Sequence, residues 1–185
     1  ACRYSLQAVF RIAATMGRPI LFRQTRPGLA GKPFDMFKFR TMRMLRPDEE
    51  MLGSDARRIT SLGAFLRRTS IDELPCFLNV LRGEMSVVGP RPLLMRYVDR
   101  YTPRQARRHE VKPGVTGWAA VNGRNTTSWE QRFELDVWYV EHASLLLDFE
   151  IVLRTIAVAL RQEDIAPEGQ VAMPEFMGTQ AAEAA

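Results

Sequence analysis

Glycine and proline punctuate the first two thirds of this chain so closely that only short helices and strand fragments fit between them. GRP at 17–19 stops whatever precedes it, TRPGLAGKP at 25–33 imposes a turn-rich connection, and Pro75, GPRP at 89–92 and Pro103 interrupt the middle. KPGVTGWAAVNGRN at 112–125 is too rich in glycine and asparagine for a helix and reads as irregular backbone with strand fragments. Between these breaks ILFRQ and FDMFKFRTM read as two strands of a hairpin, and SLGAFLRRTS, DELPCFLNVLRGE and the pieces of PRPLLMRYVDRYTPRQARRHE as short helices. Residues 4–16 read as a helix and Pro47–Thr60 as an exposed loop with one short helix. SWEQRFELDVWYVEHA and SLLLDFEIVLRTIAVALRQ are longer amphipathic helices, the first capped by Ser128.

The 185 residues suit one compact domain, and 46% hydrophobic with 25% charged residues is a globular balance. The expectation is an α/β (α+β) fold of short helices around a small sheet or hairpin. No stretch reaches the roughly 18–20 apolar residues of a membrane span. YSLQAVFRIAATM is interrupted by Gln7 and Arg11, and SLLLDFEIVLRTIAVAL by Asp148, Glu150 and Arg154, so each reads as an amphipathic helix in a core or on a membrane surface. Net charge is +5, and Arg161 is the last basic residue, so the body is more basic than the total and calls for an anionic partner: nucleic acid, a phosphorylated substrate or a membrane surface. Cys2 and Cys76 are too few for a disulfide framework or a metal cluster and read as free thiols; with two histidines, any metal needs oxygen ligands.

Asp72 and Glu73 stand out in RRTSIDELP. Ser70-x-x-Glu73 ahead of an apolar run is a capping-box pattern, a purely structural reading, but it puts Pro75 at the fifth helical position, where the ring meets the carbonyl of residue 71. A helix starting nearer Asp72 keeps the proline in the first turn and sets the carboxylate in the positive end of the dipole, just after Arg67 and Arg68. Such a carboxylate is a poor general acid but a usable nucleophile or metal ligand, in a field that also attracts phosphate. Arg91, held between prolines after a glycine, suits bidentate phosphate recognition or is a solvated surface turn. Lys38 and Arg40 alternate on one strand face, where they cradle a diphosphate or edge a sheet.

Four ordered segments, FRQTRPGLAGKPFDMFKFRTM, RRTSIDELPCFLNVLRGEMSVVGPRPLL, VKPGVTGWAAVNGRN and SWEQRFELDVWYVEHASLLLDFEIVLRTI, resemble the bacterial sugar transferase family, the monotopic phosphoglycosyl transferases, over roughly residues 17–160. The resemblance implies a ping-pong reaction in which the aspartate matching Asp72 attacks the β-phosphate of a UDP-sugar, UMP leaves, and the phosphosugar passes to polyprenyl (undecaprenyl) phosphate. It implies Mg²⁺ at the position matching Glu73, and phosphate or substrate contacts at Arg67, Arg91, Lys38, Arg40, Arg124 and Asp136. Asp136 reads equally as the helical partner of Arg132 four residues earlier. The acceptor implies a monotopic protein on the cytoplasmic leaflet of the bacterial inner membrane, and basic and aromatic residues on RYVDRYTPRQARRHE suit a surface lying on headgroups. A homodimer fits this reading, and nucleic acid is not an expected partner.

Residues 17–162 are then the catalytic domain, 163–185 a loosely attached tail, and 1–16 the remnant of a longer hydrophobic helix. Family members break that helix with a Ser-Pro pair, whereas Ser5 is followed here by Leu6, so anchorage is the weakest match. The competing readings are a non-catalytic basic module that binds membrane or nucleic acid, and a Mg²⁺-dependent phosphohydrolase in which Asp72 only holds metal.

Overall fold

The computed structural model describes residues 12, 15, 17–44, 58–123, 128–161 and 175–179. Chain contacts group into two compact units. The first is built from residues 1–24 and 37–78, the second from 25–36 and 79–185. The class is as expected, short helices with small sheets. No described helix is long and apolar enough to cross a membrane. Most of the helix expected at 4–16 and of the loop expected at 47–60 lies outside the described residues, although Ile12 and Thr15 are helical.

Strands β1 (Leu21–Pro27) and β2 (Pro33–Phe39) pair as a two-stranded sheet. Their connection turns tightly, with the Gly28 amide donating to the Lys32 carbonyl at 2.7 Å and Gly31 at φ +72, a conformation that glycine adopts without strain. In the first unit, helix α1 (Ser61–Arg68) is capped by the Thr60 hydroxyl, which accepts from the Gly63 amide at 2.9 Å. Gly63 lies so close to the backbone of Thr41 that a Cβ there would come within 1.8 Å of its carbonyl oxygen. That approach lets Leu66 close on Ile12 and Phe39, with Ile20, Leu62, Ile71 and Leu74 around them. Helix α2 (Cys76–Leu81) begins only after Pro75. The Cys76 thiol is in no disulfide, is buried and donates to the Phe37 carbonyl at 3.1 Å; Cys2 lies outside the described residues.

The second unit is organised by strand β3 (Ser86–Val88), helix α3 (Pro103–Ala106), strand β4 (Gly114–Thr116), and helices α4 (Trp118–Asn122), α5 (Trp129–His142) and α6 (Leu145–Arg161). β3 and β4 pair in parallel, with Ser86 opposite Gly114 and Val88 opposite Thr116. The glycines of GPRP and PGVTG have a physical reason here. A Cβ on Gly114 would come within 2.1 Å of the Gly89 nitrogen, and one on Gly89 within 2.4 Å of the Lys112 carbonyl oxygen. This backbone contact fixes the start of the Pro90–Arg91–Pro92 segment, whose Pro90 carbonyl accepts from the Gly114 amide at 3.0 Å. Pro103 does break its segment: a 3₁₀ turn over Met95–Arg100 precedes it, and it opens α3 behind a Thr102–Gln105 capping box. The Ser128 cap on α5 is also present, again as a capping box, with Gln131. α4 departs from the expectation of irregular backbone. Gly117 and Gly123 bound a five-residue run, Trp118–Asn122, that is free of glycine and proline.

Two apolar clusters fill this unit: Leu93, Tyr97, Phe133 and Phe176, and Val88, Tyr139 and Ile151. Phe176, 2% exposed, sits edge-on to Tyr97 and Phe133, and Thr179 accepts from the Gln105 amide at 2.8 Å. Phe176 is therefore part of the core, a correction to the loose tail expected from Glu163 onward, because an aromatic side chain in that polar, small-residue stretch finds a ready aromatic pocket. His109 packs against Tyr101 at 5.7 Å and bonds the backbone of Gly28. Burial first and Arg108 second push its pKa down to about 4.

Gly114→Ala is expected to cost ~2–3 kcal/mol through overpacking, seen as a lower thermal midpoint or insoluble protein. The folded His109 pKa lies below its unfolded value near 6.5. The unfolded state therefore takes up the extra proton first, and stability is lost as pH falls from about 6.5 toward 4, by about 1–2 kcal/mol once partial exposure is discounted. Thermal melts across that range should show the slope, and His109→Phe should flatten it.

Candidate functional site

The residues nominated from sequence fall in two constellations, one in each unit. Lys38, Arg40, Arg67, Asp72 and Glu73 belong to the first, and Arg91 and Asp136 to the second. Arg124 lies outside the described residues.

In the first unit the end of α1 sets up the carboxylates. Arg67 and Arg68 occupy its last turn, where cations complement the helix dipole, and the Thr69 hydroxyl donates to the Phe65 carbonyl at 2.9 Å. Ser70 then takes a left-handed conformation at φ 53, which costs a non-glycine residue about 1 kcal/mol or more, and Ile71–Glu73 form a single 3₁₀ turn. Ser70 makes no side-chain capping bond. Glu73 instead pairs with Lys38, Oε1 to Nζ at 2.7 Å, so the capping-box reading gives way to an ion pair between strand and turn. Because α2 starts at Cys76, Asp72 also does not sit in the first turn of an α-helix; it is buried within its own tight turn. Proline at 75 stops that turn from continuing into the helix.

The basic residues nominated for this unit divide in role. Arg67 Nε donates to the Thr41 hydroxyl at 3.0 Å and the residue is exposed. Lys38 is committed to Glu73. Arg40 is buried, and its guanidinium donates to the Gly17 and Arg18 carbonyls at 2.7 and 3.3 Å. It secures the chain at GRP, and it lies just past the end of β2 rather than on the strand face with Lys38, because the strand alternation stops at Phe39.

In the second unit Asp136, 3% exposed, meets Arg108, 2% exposed, with Oδ2 accepting from Nη2 at 2.7 Å and Nε at 3.2 Å. The other bonds of Arg108 go to the Tyr101 hydroxyl at 3.1 Å and the Arg91 carbonyl at 2.8 Å. The hydrogen-bonded partner of Asp136 is thus Arg108, with Arg132 an electrostatic neighbour. Burial raises the Asp136 pKa while Arg108 and Arg132 pull it down. Arg132 lies over the Trp129 ring at 5.9 Å, and burial, Arg91 and Arg108 hold it below the ordinary guanidinium range in spite of Asp136. Arg26 is lowered by burial and then by Arg91. The unit therefore gathers Arg91, Arg108 and Arg132 about one carboxylate, with Arg26 a neighbour of Arg91. Sequence reasoning missed Arg26, Arg108 and Arg132; the four-residue spacing of Arg132 and Asp136 was the available signal. Beside them lies a recess of about 10 Å³, lined by Arg91, Thr116, Gly117, Ala120, Arg132 and Asp136 among others.

The arginine-rich stretch 96–108 differs from the expected headgroup-facing surface. Arg96 and Arg100 pair with Glu175, Arg104 with Glu134, Arg107 with Glu110 and Glu141, and Arg108 with Asp136. Its aromatics, Tyr97 and Tyr101, face the core. A wider groove of about 740 Å³ is lined by Trp118, Leu135 and Trp138, but these indoles are already stacked: Trp118 on Trp138 at 4.6 Å, His142 on Trp138 at 4.3 Å, and Arg154 over Trp118 at 5.2 Å.

The sequence model described as bacterial sugar transferase matches residues 3–162. The chain is 51% identical over 181 residues to "Uncharacterized sugar transferase EpsL" of Bacillus subtilis, covering 96% of this chain and 90% of that protein. It is 45% identical over 150 residues to the UDP-glucose:undecaprenyl-phosphate glucose-1-phosphate transferase of Escherichia coli, covering 75% of this chain and 32% of that protein. It is 38% identical over 164 residues to the undecaprenyl-phosphate galactose phosphotransferase of Salmonella typhimurium, 80% of this chain and 34% of that protein. The chain thus spans nearly all of the Bacillus relative and about a third of the other two. With the match running through both units, the chain belongs to the bacterial sugar transferase family.

Proposed function

We infer that this protein transfers a sugar 1-phosphate from a UDP-sugar to undecaprenyl phosphate through an aspartyl intermediate. The observation that carries the reading is Asp72 itself: a buried carboxylate in a tight turn behind a strained Ser70, with the Glu73–Lys38 pair beside it in sequence. In the first displacement a carboxylate oxygen of Asp72 bonds to the β-phosphorus, the bond from that phosphorus to the bridging oxygen breaks, and UMP leaves with the electron pair. In the second, an oxygen of undecaprenyl phosphate attacks the same phosphorus and Asp72 leaves as carboxylate. Relatives named as undecaprenyl-phosphate transferases of glucose and galactose phosphate support the donor and acceptor classes.

Mg²⁺ fits the donor chemistry, since Asp72 and Glu73 offer oxygen only and the described residues contain no cluster of three His, Cys, Asp or Glu, which leaves phosphates and water to complete the shell. Glu73 would hold it, and bound there it would supply charge neutralisation of the diphosphate. Lys38 positions Glu73, and Arg67, in the same unit, supplies a cationic contact for phosphate.

Membrane attachment is read from α6. Ile151 on one side is fully buried, while Leu145 (88% exposed), Leu146 (81%), Phe149, Leu153 and Ile156 face outward. We read this stripe as lying on the cytoplasmic face of the inner membrane, where the acceptor lipid resides.

Asp72→Asn should lower UMP release from UDP-glucose or UDP-galactose by about 10³-fold or more. Intact-mass analysis of the wild type with donor alone should show a phosphosugar adduct on the peptide containing residue 72. Near-normal turnover of the variant overturns the nucleophile, and release of free sugar phosphate favours a hydrolase. Phe149→Asp with Leu153→Asp should weaken sedimentation with phosphatidylglycerol/phosphatidylethanolamine vesicles by about tenfold while Asp72→Asn leaves it unchanged.

A further inference from the structure

Residues 175–179 and all the groups they touch belong to the second unit, and they lie beyond the stretch 3–162 that family membership explains. Successive positions are held by different chemistry. Glu175 lies between Arg96 and Arg100, at 3.1 and 3.0 Å, and the Phe176 carbonyl accepts from Arg100. The Phe176 ring is buried among Tyr97, Tyr101, Trp129 and Phe133, at centroid distances of 5.8, 5.9, 5.8 and 4.9 Å. Gly178 takes φ +105, open to glycine without strain, and the next residue, Thr179, accepts from the Gln105 amide at 2.8 Å. The cleft that receives the segment suits an acid followed by an aromatic ring. The guanidinium carbons of Arg96 and Arg100 both lie over the Tyr97 ring, at 5.8 and 5.7 Å, and two cations so placed favour an anion between them.

The rings that Phe176 touches lead to the buried ion pair. The Arg108 guanidinium lies over Tyr101 and Phe133, at 5.6 and 5.4 Å, and donates to the Tyr101 hydroxyl at 3.1 Å. From there it reaches Asp136 and the Arg91 carbonyl. We propose that residues 175–179 are a latch for this arginine centre: seating Glu175 and Phe176 in the cleft fixes Tyr101 and Phe133, and these two rings fix the Arg108–Asp136 pair. Phe176 is thereby a positioning residue that acts through the rings, and its role is independent of the transferase reading. Aromatic clusters are packed densely enough that removing one member frees its neighbours to tilt. A buried ion pair tolerates such movement poorly, since any loss of geometry leaves desolvated charge behind. The ion pairs of Glu175 are half-exposed and contribute orientation more than affinity, so one aromatic ring supplies most of the docking. A segment held in this way can be replaced by the same residues supplied as a separate peptide.

The test follows amide hydrogen exchange in the full chain and in Phe176→Ala and Glu175→Gln, with 145–156 of α6 as internal reference. Phe176→Ala is expected to speed exchange in 101–110 and 129–136 by about tenfold or more relative to that reference. The synthetic peptide MPEFMGTQ, residues 173–180, added at millimolar concentration, is expected to restore protection to Phe176→Ala, and the same peptide carrying Phe176→Ala is not. Faster exchange confined to 175–179 in a folded Phe176→Ala overturns the coupling to Arg108. An equal rise in α6 marks general loss of stability and also overturns it. Failure of the wild-type peptide to restore protection shows a ring that works only as part of a continuous core, and overturns the latch. If Phe176→Ala does not fold, Glu175→Gln decides: it is expected to speed exchange in 101–110 about threefold, and unchanged exchange there overturns the proposal.

Discussion

A single buried guanidinium organises the second unit. Arg108 binds Asp136 on α5, the Tyr101 hydroxyl and the Arg91 carbonyl, so three separated stretches of chain meet on one planar group. Burying such a pair gains little net stability, because desolvation cancels much of the attraction, but it penalises any arrangement that leaves either charge alone by several kcal/mol. Its effect is therefore on geometry. Arg91 is held through its carbonyl, and α5 is held through Asp136, one turn on from Arg132. Arg91 and Arg132, which line the recess together with Asp136, are thus set in place by this pair.

The first unit solves a different problem, how to keep two neighbouring acids in different states of engagement. A regular helix would have placed Asp72 and Glu73 about 100° apart with equivalent surroundings. The left-handed Ser70, the 3₁₀ turn and the break at Pro75 replace that helix with a corner, in which Glu73 reaches Lys38 and Asp72 is buried. The strain at Ser70 is local and is retained by the packing of Ile71 and Leu74 against Leu66 and Phe39. Two adjacent carboxylates with unequal surroundings suit a division between a group that reacts and a group that holds charge beside it.

Much of this was legible in the residue pattern, and the failures have specific causes. Helices α1, α5 and α6, the break at Pro103 and the Ser128 cap follow from periodicity and capping chemistry, which act over a few residues. The capping box at Ser70 failed because Lys38, thirty-five positions earlier, offers Glu73 a full charge. The helical partner of Asp136 failed for the same reason: Arg108 is twenty-eight positions away and invisible to a local rule. Arg40 was assigned to a strand face, but the strand ends one residue before it. Phe176 escaped notice because a lone aromatic in a weakly patterned stretch carries no period, and only the pocket of Tyr97, Trp129 and Phe133 reveals its use.

The distribution of charge and apolar surface argues for which side of the second unit meets lipid. The net charge of +5 suggests a basic membrane-facing surface, yet the arginines of 96–108 are answered by Glu110, Glu134, Glu141, Asp136 and Glu175. Exposed pairs of this kind add at most about 1 kcal/mol each, so their main consequence is to cancel the local field that would draw anionic headgroups. α6 has the opposite character: Glu150 and Arg154 pair on the helix itself, and the outward stripe from Leu145 to Ile156 is apolar. Water gives no return for five exposed large apolar side chains, whereas a bilayer surface gains roughly 25 cal/mol for each Å² of them that it covers. Attachment at this face, as proposed, would be driven by the hydrophobic effect rather than by charge, and would persist at salt concentrations that abolish a polybasic contact.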